Sequence, residues 1–200
     1  MSNDKQGILV IASRLLGYPS NLFMEEMKEL ISLAEEAFES DEVKKEFNEV
    51  YSSFKDKEIK EIQEMYVATF DLKAKTGMYL TAHELGDSNK RGAALIKLQK
   101  IINQAGFERV DEELVDYIPM LLEFLSIAPE IKEKERLEYR MAIALERIRK
   151  NLEEETPYAK IIRILMNRVF PNPSREEIEQ LENNREEADL EELPYPIMYQ

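Results

Sequence analysis

The sequence predicts an all-α fold, and three observations carry that prediction. Apolar residues recur at spacings of three and four through most of the chain, whereas no convincing stretch alternates with the period of two that a half-buried strand requires. Glycine, proline and short hydroxyl or carboxamide side chains fall between the periodic segments, where helices start and stop. Neither an internal repeat nor a sustained heptad is found, so the segments predict a compact bundle of roughly nine or ten helices. One helical domain over 1–183 is expected, followed by an acidic tail over 184–200 that is expected to be mobile.

Taken in order, Ile8, Leu9, Ile11, Ala12, Leu15 and Leu16 mark a short, strongly apolar first helix that Gly17 and Pro19 stop. Ser20 or Asn21 can cap a second, whose apolar face is Leu22, Phe23, Met27, Leu30, Ile31 and Ala34. Ser40 and Asp41 open a third helix through Val43, Phe47, Val50, Tyr51 and Phe54, and a fourth carries Ile59, Ile62, Met65, Tyr66 and Thr69. Periodicity lapses over Leu72 to Gly77, then Met78 to Leu85 form a short helix closed by Gly86. Asp87 or Ser88 can cap the next, with Ala93, Ala94, Leu95, Leu98, Ile101 and Ile102 facing inward and Gly106 at its end.

Asp111, Glu112 and Glu113 start a further turn, and Pro119 suits the first turn of a helix that runs through Met120 to Ile127 and stops at Pro129. Leu137, Met141, Ala144, Leu145, Ile148 and Leu152 then mark one long amphipathic helix from Ile131 to about Glu155. Thr156 and Pro157 cap and begin another, with Ile161, Ile162, Leu165, Met166 and Val169 until Pro171, and Ser174 with Glu177 forms a capping-box pattern for a last short one.

Composition excludes several function classes. At 200 residues with 44% hydrophobic content the chain can bury a core without staples, and zero cysteines remove disulfides, iron–sulfur ligation and zinc–thiolate sites. A net charge of −14 opposes nucleic-acid binding, which needs clustered basic side chains, and suits a basic or amphipathic partner. The apolar run Ile8 to Ala12 is too short for a signal peptide, no stretch approaches a membrane span, and a cytoplasmic protein is expected.

Tyr66 to Gly92 holds the only histidine, His83, and three of the six glycines, with the densest mixture of aromatic, acidic, basic and hydroxyl groups. His83-Glu84 begins like a zinc-protease helix but has no second histidine one turn on. Asp87 to Gly92 opens like a calcium loop, but Arg91 occupies the fifth position and Leu98 stands where a bidentate glutamate is required. No catalytic, metal or cofactor residue is therefore assigned. Tyr66, Phe70 and Tyr79 are compatible with a core or with a groove, and Asp71, His83, Asp87 and Arg91 are available as partners for their hydroxyls.

Tyr66-x-x-Thr-Phe-Asp71, Tyr79-Leu-Thr-x-His83-Glu-x-Gly-Asp87-x-x-x-Arg91-Gly92, Ala105-Gly-Phe107 and Glu113-Leu-x-Asp116-Tyr117-x-Pro119-x-x-Leu-Glu123 together closely resemble the nitrate reductase delta-chain (NarJ) family of molybdenum-cofactor assembly chaperones, within the TorD-like redox-enzyme maturation proteins. The resemblance runs from about Leu9 to Pro129. It implies an all-helical cytoplasmic chaperone, not an enzyme, that binds the N-terminal segment of the nitrate reductase catalytic (alpha) subunit. The client, rather than this chain, would receive molybdopterin guanine dinucleotide and iron–sulfur centres before membrane attachment. Contact with the cofactor-insertion machinery and a monomer or weak homodimer belong to the same expectation. The resemblance places Tyr66, Phe70, Asp71, Tyr79, His83, Glu84, Asp87 and Arg91 near a client groove, with Asp116, Tyr117 and Glu123 on the facing helix. Val115-Asp116-Tyr117 departs from the Pro-Asp-His arrangement frequent in the wider group, which leaves Asp116 as the charged member. A sibling oxidoreductase as client, or a permanent structural subunit, is the alternative.

Overall fold

The structure is a computed structural model that describes residues 3–108, 113–130 and 132–183. Among them are ten α-helices and no strand: α1 (Asn3–Leu15), α2 (Phe23–Ala37), α3 (Asp41–Phe54), α4 (Ile59–Tyr66), α5 (Leu80–Leu85), α6 (Arg91–Gln104), α7 (Ile118–Ile127), α8 (Lys132–Asn151), α9 (Pro157–Arg168) and α10 (Arg175–Asn183). The expected tail, Asp111, Glu112 and Ile131 lie outside the described residues.

All six apolar positions of the first helix are buried, because α1 is the central rod of the bundle and packs chiefly against α7 and α9. Its approach is close: a Cβ on Gly7 would meet the Phe38 ring at 2.5 Å. Gly7 therefore serves that contact, at the entropic cost of a glycine inside a helix. Around this rod α2 and α3 pair with each other, α3 rests on α9, and α8 joins α9 to α5. Phe54, Tyr66, Phe70 and Tyr158 meet edge-to-face at centroid separations of 4.8 to 5.9 Å, an arrangement worth about 0.5–1.5 kcal/mol per pair beyond burial.

Local signals act as the sequence suggests at several ends. The Ser40 hydroxyl accepts from Val43 N at 3.4 Å, and that of Thr156 from Ala159 N at 3.2 Å. Ser174 and Glu177 close a reciprocal box at 3.3 and 2.7 Å. Gly86 adopts φ 61 and Gly106 φ 88, the left-handed conformation that only glycine reaches cheaply.

Other elements differ from expectation. Leu22 is not on a buried face but is 56% exposed, because α2 starts one residue later and Ser20 Oγ accepts from Leu22 N at 3.1 Å in the preceding turn. The long amphipathic helix closes at Asn151 rather than near Glu155, and it buries two charged residues, Lys134 and Arg147, along with its apolar stripe. Of the six inward positions assigned to α6 only Leu98 and Ile102 are buried, and Ala93 is exposed. A groove separates α6 from α8, so the apolar stripe is only partly covered.

Candidate functional site

Past Tyr66 the α-helix gives way to a π-helical turn over Val67–Asp71. Such a turn inserts one extra residue, and it sends Phe70 into the core against Tyr66 and Tyr158 while Asp71 emerges at the surface. Thr69 Oγ1 bonds back to the Met65 carbonyl at 2.6 Å, and the fully buried Thr76 hydroxyl donates to the Thr69 carbonyl. The aperiodic loop 72–77 is thus folded onto the turn by a hydroxyl rather than by apolar packing.

Beyond that loop the chain pairs briefly with the segment before α7. Leu80 N donates to the Asp116 carbonyl at 2.9 Å and Ile118 N to the Met78 carbonyl at 2.8 Å, making an isolated antiparallel bridge between Tyr79 and Tyr117. Asp116, with no exposed surface, closes the arrangement from inside. Its Oδ2 accepts from Thr81 N at 3.1 Å and from the Thr81 hydroxyl, and Arg91 Nη2 lies 3.5 Å away. Arg91 Nε also donates to Thr81 Oγ1 at 3.0 Å, and its guanidinium stands 5.9 Å from the Tyr79 ring centre. Asp116 Oδ1 is buried without a hydrogen-bond partner. The Tyr79 hydroxyl donates to Glu113 at 3.0 Å, and burial followed by that carboxylate pushes its pKa up to about 12.

A second polar pair sits beside this latch. The Tyr66 hydroxyl lies 3.3 Å from the Leu16 carbonyl and 3.0 Å from the Tyr117 hydroxyl. A carbonyl can only accept, so Tyr66 donates to Leu16 and Tyr117 donates to Tyr66. Burial raises the pKa of Tyr66 and Tyr117 well above the ordinary tyrosine range, and the nearby Asp71 charge raises both further. Tyr18 packs its ring edge on Tyr66 at 5.4 Å, and Gln63 Nε2 donates to the Pro19 carbonyl at 2.9 Å, which pins the α1–α2 turn to α4.

Outside this pair opens a shallow depression of about 360 Å³ with Tyr18, Val67, Ala68 and Leu72 as its apolar lining and Lys60 and Glu64 at its edge. Tyr18 is 56% and Leu72 74% exposed. Isolated surface apolar groups are ordinary, but a contiguous set beside a π-turn marks a docking surface.

The sequence-predicted residues separate into distinct places. Tyr66, Asp71 and Tyr117 border the depression, while Tyr79, Arg91 and Asp116 form the latch behind it. Phe70 is core. His83 is buried with both ring nitrogens engaged: Arg147 Nη1 lies 2.9 Å from Nδ1 and the Gly77 carbonyl 2.6 Å from Nε2. Since a guanidinium only donates, the ring proton belongs on Nε2. Glu84 is gripped through both oxygens by Arg140, at 2.5 and 2.7 Å, away from the depression and facing α6 and α8. Asp87 is exposed and caps nothing; Ser88 Oγ takes the Lys90 N–H at 3.3 Å instead. Asp116 and Tyr117 precede α7 rather than lying on a helix, and Glu123, on α7, is exposed and pairs with Arg14 of α1 at 3.1 Å.

Sequence reasoning passed over Tyr18, Leu72, Thr76 and Thr81. Gly17-Tyr18-Pro19-Ser20 could have drawn notice as an aromatic held in a turn, whereas nothing local distinguishes the two threonines. Among the described residues no three His, Asp or Glu side chains converge as metal ligands would, and no helix is long and apolar enough to cross a membrane.

The all-helical bundle with an aromatic and acidic docking surface, and no catalytic constellation among the described residues, is the architecture of the redox-enzyme maturation proteins. A crystal structure assigned as a redox enzyme maturation protein from Archaeoglobus fulgidus superposes with a TM-score of 0.58 at 21% identity, covering 81% of this chain and 91% of that one. Residues 22–156 match the nitrate reductase delta subunit family, and the chain belongs to that family. It is 27% identical to the protein assigned as nitrate reductase molybdenum cofactor assembly chaperone NarJ in Bacillus subtilis, over 89% of this chain and 96% of that protein. It is 30% identical to the NarJ assembly chaperone of Escherichia coli K12, over 64% of this chain and 55% of that one. The family consists of assembly chaperones rather than catalytic proteins.

Proposed function

We propose that this chain is a cytoplasmic chaperone that binds the N-terminal segment of the apo catalytic subunit of a respiratory nitrate reductase and holds it until the molybdenum cofactor is inserted. The cofactor and the iron–sulfur centre are the client's, and this chain contributes a binding surface. The observation that carries the reading is the exposed set of Tyr18, Val67, Ala68 and Leu72, flanked by Glu64 and backed by Asp71, in a chain of net charge −14. An amphipathic client helix would lay apolar residues on Tyr18 and Leu72 and turn basic ones toward the carboxylates. Tyr66 and Tyr117 then act beneath the surface, holding Tyr18 and the π-turn in one arrangement before the client arrives.

Titration calorimetry with a peptide of the client's N-terminal segment, beside a scrambled peptide of equal charge, tests the reading. Saturable binding of the native peptide alone is expected. Tyr18→Ala and Leu72→Asp should each weaken it roughly tenfold or more, as truncation of an aromatic or apolar anchor does. Leu33→Ala, equally exposed but on α2, should leave affinity and melting temperature unchanged. Equal binding of both peptides would overturn the proposal.

A further inference from the structure

The largest groove among the described residues lies away from the depression, between α5, α6 and α8, with a volume of about 740 Å³. Its floor is apolar, made by Leu85, Ala94, Ile101 and Leu137. Lys97, Lys100 and Arg136 stand on its rim, exposed and with no ion pair among the described residues, while Arg140 is already held by Glu84. A basic rim over an apolar floor is unexpected in a chain with 41 acidic and 27 basic residues. It also has the wrong sign for the basic client segment proposed above, so it calls for a different occupant, acidic and amphipathic.

We infer that the occupant is the chain's own C-terminal segment, residues 184–200. Three features on different levels support this. The segment carries Glu186, Glu187, Asp189, Glu191 and Glu192 against the single Arg185, with Leu190 and Leu193 among them, so it offers carboxylates to the rim and leucines to the floor. Next, α10 packs against α8 and α5, the helices that form two of the three walls, so the chain leaves its last described residue, Asn183, beside the groove. Third, Leu190 is seven residues beyond Asn183, and an extended backbone of that length spans roughly 23 Å, enough to reach across a helix about 10 Å wide. Tethering places the segment at a millimolar-scale effective concentration, so a weak site is enough to hold it. Docked there, it covers the half-buried stripe of α6 and neutralises the basic rim, so that an external acidic segment binds only by displacing it. The inference does not depend on the identity of the client.

Because the chain has no cysteine, one spin label can be placed on the full-length protein through Ala188→Cys. Amide resonances of Ala94, Lys97 and Ile101 should then lose roughly half their intensity or more relative to the reduced label, at low salt, where a tethered charged contact is most populated. Lys44 on α3 should not change. Combining the label with Lys97→Glu and Lys100→Glu should restore the α6 intensities, with melting temperature serving as the check on folding, since both lysines are exposed. Broadening that persists after the double charge reversal, broadening centred on Tyr18 and Leu72, or no selective broadening would each overturn the inference.

Discussion

Replacing Asp116 with alanine tests the latch that joins α5 to the start of α7. The carboxylate is fully buried and takes two hydrogen bonds from Thr81, itself fully buried, together with the Arg91 guanidinium at 3.5 Å. Arg91 keeps 27% of its side-chain surface exposed and can turn to water, but the Thr81 amide cannot. An orphaned buried donor costs about 1–3 kcal/mol, and removing one partner of a buried charged pair costs about 3–5 kcal/mol in all. For a domain of this size each kcal/mol lowers Tm by roughly 2–4 °C, so Asp116→Ala should fall by about 6–20 °C. Asp116→Asn should cost less, about 1–3 kcal/mol, because its carbonyl can still face Thr81 while its NH2 occupies the place of Oδ1, which has no partner. Urea unfolding followed by circular dichroism, with an unchanged slope, gives both values. A change below about 1 kcal/mol for alanine, or an asparagine variant as unstable as alanine, would refute the latch. Folded Asp116→Ala should retain client-peptide affinity to the extent that the latch persists, because the side chain presents no surface to a ligand.

Tyr66→Phe removes the hydroxyl shared by Leu16 and Tyr117 and should cost about 0.5–1.5 kcal/mol by urea unfolding, with little effect on the ring contacts. Gly7→Ala should destabilise by about 1–3 kcal/mol despite alanine's better helix propensity, because its Cβ meets the buried Phe38 ring; a more stable variant would show that the ring yields. Stability should fall as pH rises above about 10, where unfolded tyrosines lose their protons and the buried Tyr66 and Tyr158 keep theirs. The unfolded state then binds fewer protons, so each such tyrosine contributes a negative slope of up to about 1.4 kcal/mol per pH unit. Tyr79 should ionise only near pH 12, and tyrosinate absorbance with Tyr79→Phe as control measures it.

The elements themselves were largely legible because their signals are local. Helical spacing in α1, α3, α8 and α9 identified core positions that are buried, and Ser40, Thr156 and Ser174 cap from within one turn. Family membership was equally legible, since Tyr66 to Arg91 and Asp116 to Glu123 carry an ordered set of motifs. The candidate site was only partly so. Tyr66, Asp71 and Tyr117 converge on the depression, but His83, Glu84, Asp87 and Glu123 are drawn to four separate partners or surfaces.

By itself, then, the sequence determined that the chain is helical, acidic, free of cysteine and a member of its family, because periodicity, composition and motif order are properties of neighbours along the chain. Only the tertiary structure decided which side chains of the central motif face solvent. Residues 50 or 35 positions apart, such as Tyr66 with Leu16 or Thr81 with Asp116, meet through helix packing and a single backbone bridge, and no local pattern encodes that distance. The same holds for the groove beside α6, whose apolar stripe reads as core until the separation of α6 from α8 leaves it uncovered.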